Sequence, residues 1–239
     1  MAAKKRFIII DTETTQDGRV ADFGAVVCDK LGNVVASCAV LVKDVFDRPE
    51  ESPLFYTKDA SPLWGRAGLP KRYAHYQAML DNGSRTLASV PAINRWLAKA
   101  NAQYKPVLTA YNLAFDQGKM TNTGIDHTIF EKRFCLWHAA AAKWGHTKAF
   151  KQMVLETLAF NPPTDKGNMS YQTNAEVMTR FVMGNPYLPN EPHTAYEDAL
   201  EYELPILAAL VKNTPPKEYM AASPYSWRDY QVKDNFKVA

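Results

Sequence analysis

The chain lacks any apolar stretch near the roughly 18 to 20 residues that a membrane-spanning helix needs. Residues 1–6 form a basic start that runs straight into a β-branched segment, without the longer apolar region and small-residue cleavage site of a signal peptide. The expectation is a soluble, cytoplasmic protein that binds no membrane. Cysteine is scarce. Cys28, Cys38 and Cys135 are an odd number with no Cys-x-x-Cys pairing, which argues for reduced thiols, the first two packing as small apolar residues in predicted strands. No Gly-rich phosphate loop occurs, and Ser or Cys nucleophile schemes lack a partner signature. Cys135, His138 and His146 suggest zinc only superficially, because no fourth ligand stands at a sensible spacing. Internal repeats and low-complexity tracts are absent. Charge of one sign is barely in excess, at a formal net +3, so the whole-molecule field does not announce a nucleic-acid binder.

What is present suffices for a full hydrophobic core: 239 residues, 46% of them hydrophobic. One domain over residues 1–212 with a tail over 213–239 is the expected organisation. Residues 6–11, 21–29 and 34–42 read as an antiparallel meander, with Asp17-Gly18 as the first tight turn. Residues 43–89 are polar, Pro-containing and without sustained period. A helix ending near Lys99 then leads to a fourth strand over 106–111, for which Asn112 is the natural N-cap of the following helix. A fifth strand is expected over 130–137, and helical stretches over 138–144, 148–158 and 175–183. Thr194-x-x-Glu197 is a capping box that starts a last helix at Ala195, running to about Val211 and kinked by Pro205. Strands followed by alternating strand and helix predict an α/β layered domain with a mixed sheet.

Three acidic islands carry the chemistry. They are Asp11-Thr12-Glu13-Thr14-Thr15, Tyr111-Asn112-Leu113-Ala114-Phe115-Asp116 and His193-Thr194-Ala195-Tyr196-Glu197-Asp198. Asp11 and Glu13 are two apart in an extended segment, so both point to one side of the sheet. Such spacing is weak evidence alone, since Glu201 and Glu203 repeat it in a predicted helix, where it carries no meaning. Asp116 and Asp198 are each the fourth residue after a predicted N-cap, a position that could merely satisfy a helix dipole. All three islands together are harder to assign to coincidence. Hard oxygen ligands without thiolate select Mg²⁺ or Mn²⁺ over zinc, and two ions about 3.5 to 4 Å apart can clamp an in-line displacement at phosphorus. His193, on the loop just before the cap, is the candidate base. Arg66, Lys71, Arg72 and Arg85, interleaved with Trp64, Tyr73, His75 and Tyr76, suit a strand of nucleic acid, or equally a solvated surface.

These islands resemble the three motifs of the DEDDh 3′-to-5′ exonucleases, the group that includes the proofreading subunit of bacterial replicative polymerase, ribonuclease T, oligoribonuclease and many phage exonucleases. The likeness spans about residues 7–210, and Ala21-Asp22-Phe23-Gly24-Ala25-Val26 resembles the family's second-strand segment. It implies a ribonuclease H-like mixed β-sheet flanked by helices, with Asp11, Glu13, Asp116 and Asp198 as ligands of two Mg²⁺ ions (Mn²⁺ as a substitute) and His193 as general base. By the same resemblance Thr12, Thr14, Thr15 and Asn112 join Arg66, Lys71 and Arg72 in contacting substrate. Gln16 stands where the family commonly has glycine, and Tyr111 where many members carry histidine. The expected activity is 3′-to-5′ exonuclease action on single-stranded 3′ ends, DNA favoured over RNA, releasing nucleoside 5′-monophosphates. An exoribonuclease and a catalytically silent end-binding module are the alternatives.

Overall fold

The structure is a computed structural model and describes residues 5–46, 69–164, 166–223 and 227–232, without the side chains of 69–71 and 227–228. The β-branched run at the start forms β1 (Arg6–Thr14), buried along most of its length, and β2 (Val20–Asp29) is buried throughout except at its last residue. Strands covered on both faces read as such continuous apolar runs. β3 (Val34–Val42) is more open. β1 pairs antiparallel with β2 and β2 with β3, as the turn signals predict.

After α1 (Lys43–Phe46) and α2 (Leu69–Asp81), β4 (Thr86–Ala88) adds parallel to the outer edge of β3. The chain crosses by α3 (Val90–Tyr104) to β5 (Val107–Ala110), parallel to β1, then by α4 (Leu113–Thr123) to β6 (Arg133–Cys135), parallel to β5. The six-stranded mixed sheet therefore has the order β4-β3-β2-β1-β5-β6. Next come α5 (Leu136–Trp144), α6 (Lys148–Thr157), β7 (Met169–Ser170), α7 (Ala175–Met183), α8 (Ala195–Glu197), a π-helical turn (Asp198–Glu203), α9 (Leu204–Asn213), α10 (Pro216–Met220) and β8 (Gln231–Val232), which pairs with β7. Among the described residues no helix is long and apolar enough to cross a membrane.

The two-residue period of β1 divides the core. Phe7 and Ile9 pack with α5, α6, α7 and α9 on one face, and Ile8 and Ile10 with α3 and α4 on the other. Helices thus cover both faces of a sheet that begins as a meander and continues with parallel strands, the expected mixed α/β sheet flanked by helices. The described part of the tail packs back on this body. Tyr219 is buried against Phe7 and Phe134, and Tyr230 stacks on His146 at 4.7 Å. Tyr225, Phe236 and the side chain of Trp227 lie outside the described residues.

Several boundaries differ from expectation. The expected fifth strand shortens to three residues because Leu136, Ala139 and Ala140 follow helical spacing and bury one face of α5. α2 and β4 arise in the stretch expected to be irregular. Both are held by a buried cluster: the Arg85 side chain, 1% exposed, pairs with Asp22 on β2 at 3.2 Å and with Glu197, and Tyr76 on α2 donates to Asp22 at 2.9 Å. Arg85 is therefore no surface contact for nucleic acid, since burying a guanidinium demands carboxylate partners and it has two.

Asp22 also accepts from the Ala195 backbone N–H at 2.9 Å, which fixes the loop between His193 and Asp198 against β2. Gly24 permits that approach. A Cβ there would lie 2.3 Å from the Ala195 carbonyl and 2.4 Å from the Tyr196 nitrogen, both backbone atoms. Gly24→Ala should push this loop off the sheet, destabilising the protein by about 1 to 3 kcal/mol and disabling the two site residues that flank it. Urea unfolding checks the first effect, and an unchanged midpoint would refute it.

Candidate active site

β1 brings Asp11 and Glu13 to one side of the sheet, opposite Gly24 and Asp22 of β2. Asp116 comes from the first turn of α4, whose entry is Asn112 in the left-handed region at φ 73°. The Asn112 side chain makes no capping bond. Its role is the turn itself, a conformation that Asn tolerates better than most residues. Thr12 Oγ1 donates to Asp116 Oδ1 at 2.7 Å, tying β1 to α4. Asp198 opens the π-helical turn, and His193 also has left-handed backbone, at φ 56°. The expected capping box is replaced: Thr194 donates to the Glu197 side chain at 2.6 Å, and Glu197 is engaged by Arg85.

Asp11, Glu13, Asp116, Asp198 and His193 all line one open cavity of about 650 Å³. Potential ligand atoms of Glu13, His193 and Asp198 lie within 4.8 Å of one another. Arg72 of α2 reaches the same place, 3.3 Å from Glu13 and donating to the His193 carbonyl at 2.9 Å. Thr14 lines the cavity, whereas Thr15 holds the hairpin turn through Arg19. Arg66 and the side chain of Lys71 lie outside the described residues. Cys135, His138 and His146 form no candidate ligand group among the described residues.

The carboxyls repel one another. Burial, with the Asp22 charge nearby, raises Asp11 to about 7. Burial pushes Glu13 well above the ordinary range despite Arg72, and burial with the Asp11 charge does the same to Asp116. Asp198 rises to about 11 through burial and the charges of Asp11, Glu191 and Glu13. Its Oδ1 is buried with no hydrogen-bond partner. An all-oxygen cluster that cannot ionise together fits divalent cations, which would relieve the repulsion. Two further carboxylates that the sequence did not single out line the cavity: Glu191, raised to about 8 chiefly by burial, and Glu203. The spacing of Glu201 and Glu203 itself carries no chemistry, since Glu201 is exposed and only Glu203 lines the cavity.

His193 departs from an ordinary histidine. Burial first, and then the Arg72 charge, lower it to about 4, so it is neutral across the physiological range.

Protonation and folding are linked here. Asp11 has a folded value of about 7 against an ordinary 3.8. Its contribution is intact below pH 4, where both folded and unfolded chains hold the proton, and is lost as pH rises towards 7, because the unfolded chain ionises first. Asp198 extends that loss to more alkaline pH. Without metal the melting temperature should therefore fall from pH 4 to 7, and added Mg²⁺ or Mn²⁺ should restore it by an amount that grows with pH. A metal-insensitive melting temperature that is flat over this window would contradict the assignment.

No protein-family model and no curated protein matches the sequence. Solved structures do resemble it. A product-bound exonuclease I aligns at 17% identity and TM-score 0.48, over 90% of this chain and 45% of that one. E. coli exonuclease I in complex with a 5cy-dT13 oligonucleotide aligns at 17% identity and TM-score 0.44, over 90% and 42%. The zinc-ion-bound form of an E. coli exonuclease I complex with single-stranded DNA aligns at 17% and 0.48, over 90% and 42%. The chain spans less than half the length of each of these proteins.

Proposed function

We propose that the protein is a divalent-metal-dependent 3′-to-5′ exonuclease that removes nucleoside 5′-monophosphates from single-stranded DNA. The observation that carries this is the meeting of five residues from three distant segments, Asp11, Glu13, Asp116, Asp198 and His193, in one cavity. Asp11, Glu13, Asp116 and Asp198 would hold Mg²⁺, or Mn²⁺ in its place. The chemistry such ions supply is polarisation of the scissile phosphate and acidification of the attacking water.

The chain's own residues do the rest. His193 accepts the proton of the attacking water on a ring nitrogen, for which its lowered pKa keeps it available. A new P–O bond forms, the P–O3′ bond breaks, and the departing 3′ oxygen takes a proton from solvent water, to which His193 later returns its own. Thr12 steadies Asp116. Phe115 is an exposed ring on the cavity wall with Lys119 Nζ 4.9 Å from its centroid, an arrangement suited to stacking a terminal base beside a phosphate contact. Tyr111, which also lines the cavity, is held from behind: it stacks on Trp137 at 6.3 Å, and the Tyr111 hydroxyl and Trp137 Nε1 both bond Thr173.

End-directed action predicts that circular single-stranded DNA survives while linear DNA of the same sequence is shortened from its 3′ end. Matched RNA should be shortened more slowly. Cleavage of the circle would refute the exonuclease reading, and faster loss of RNA would reassign the substrate.

A further inference from the structure

The turn after Asp198 places a residue that the reaction above does not use. In an α-helix a side chain five positions on is rotated by roughly 140°, so Asp198 and Glu203 would face apart. The segment Asp198–Glu203 is instead π-helical. Its i to i+5 pattern brings the two residues to one face, and both line the cavity. Pro205 lies just beyond and has no N–H to continue a regular ladder.

Glu203 is 2% exposed. Its Oε1 accepts from the Tyr111 backbone N–H at 3.1 Å, which grips the turn that launches α4 and so Asp116. Its Oε2 is buried and has no hydrogen-bond partner. A neutral Gln would serve the Tyr111 contact equally well. A cation in the cavity would answer the second oxygen, whose charged neighbours there, Asp11, Asp116 and Glu191, are all carboxylates.

Resting on the metal-dependent reading above, we infer that Glu203 is a fifth carboxylate of the cation site, steadying the Tyr111–Asn112 turn with one oxygen and facing the bound cations with the other.

The test is Mn²⁺ binding to the full chain, followed by calorimetry and electron paramagnetic resonance, with metal-free melting as the check on folding. Glu203→Gln keeps the Tyr111 contact and removes the charge. It should fold with an equal or higher melting temperature and bind Mn²⁺ about 10- to 100-fold more weakly. Glu203→Asp keeps the charge on a shorter arm and should bind between wild type and the Gln variant. Glu201→Gln, exposed on the same turn, should match wild type. A merely structural Glu203 would reverse the order, with Gln equal to wild type and Asp impaired, and that order overturns the inference alone. Wild-type protein that binds no Mn²⁺ would overturn the metal-dependent reading and the inference with it.

Discussion

Turnover by Asp198→Asn is expected to fall by at least about 10³-fold, because a metal's stabilisation of charge in the transition state is worth several kcal/mol and each 1.36 kcal/mol is tenfold in rate. Asp11→Asn should behave alike, since both belong to one cluster whose members act together. The same substitution should raise the melting temperature of the metal-free protein at pH 8. Asp198 is pushed to about 11 by burial and its acidic neighbours, so at pH 8 folding has to protonate a carboxylate that the unfolded chain leaves ionised, a cost that Asn, of equal size, does not carry. Opposite signs for activity and stability are the signature of a site whose strain serves function. Loss of both together would point to a plain structural role.

The second large effect belongs to His193. His193→Ala leaves all four carboxylates in place and should slow the chemical step by about 10²- to 10⁴-fold, the usual worth of a positioned base, while single-stranded DNA still binds. Its pH dependence is set by burial and by Arg72, which lower the imidazole to about 4. The wild-type to variant rate ratio should therefore stay constant from pH 6 to 8 and shrink only below about pH 5, where the wild-type ring takes up a proton. Single-turnover rates across that range decide the matter. A ratio that grows between pH 6 and 7.5 would mean an ordinary histidine, and a ratio near one would remove His193 from the reaction.

Much of this was legible in the residues. The β-branched run of β1 and the Asp17-Gly18 turn report local chemistry, so the meander followed from them directly. Asp11 and Glu13 sharing a side is a consequence of strand period, and Asp116 at a helix start follows from the chain leaving β5. Features made by distant partners were not legible. Arg85 looked like one more surface cation because nothing near it in sequence shows that Asp22, 63 residues away, and Glu197, 112 away, enclose it. Arg72 likewise joins the site only once α2 is docked over Glu13 and His193. Glu203 is not singled out by the sequence, because the Glu201-x-Glu203 spacing carries no meaning in a helix and nothing within Asp198–Glu203 announces the π-helical turn that brings it to the cavity. Pro205 was the available signal, since a missing N–H disturbs the hydrogen-bond ladder on its N-terminal side, yet it indicates a kink and not which face the kink restores. Asn112 was expected to cap with its side chain and serves with its backbone, a distinction that depends on φ alone.

The central claim is that the three acidic islands act as one metal-dependent hydrolytic site for a 3′ end. Its most direct test is release of label from 3′-labelled single-stranded DNA by the purified chain, with Mg²⁺ and then with excess EDTA. The account predicts immediate release of labelled nucleoside 5′-monophosphate with Mg²⁺, none with EDTA, and full recovery when Mg²⁺ is restored; equal release in EDTA, or none under either condition, would contradict it.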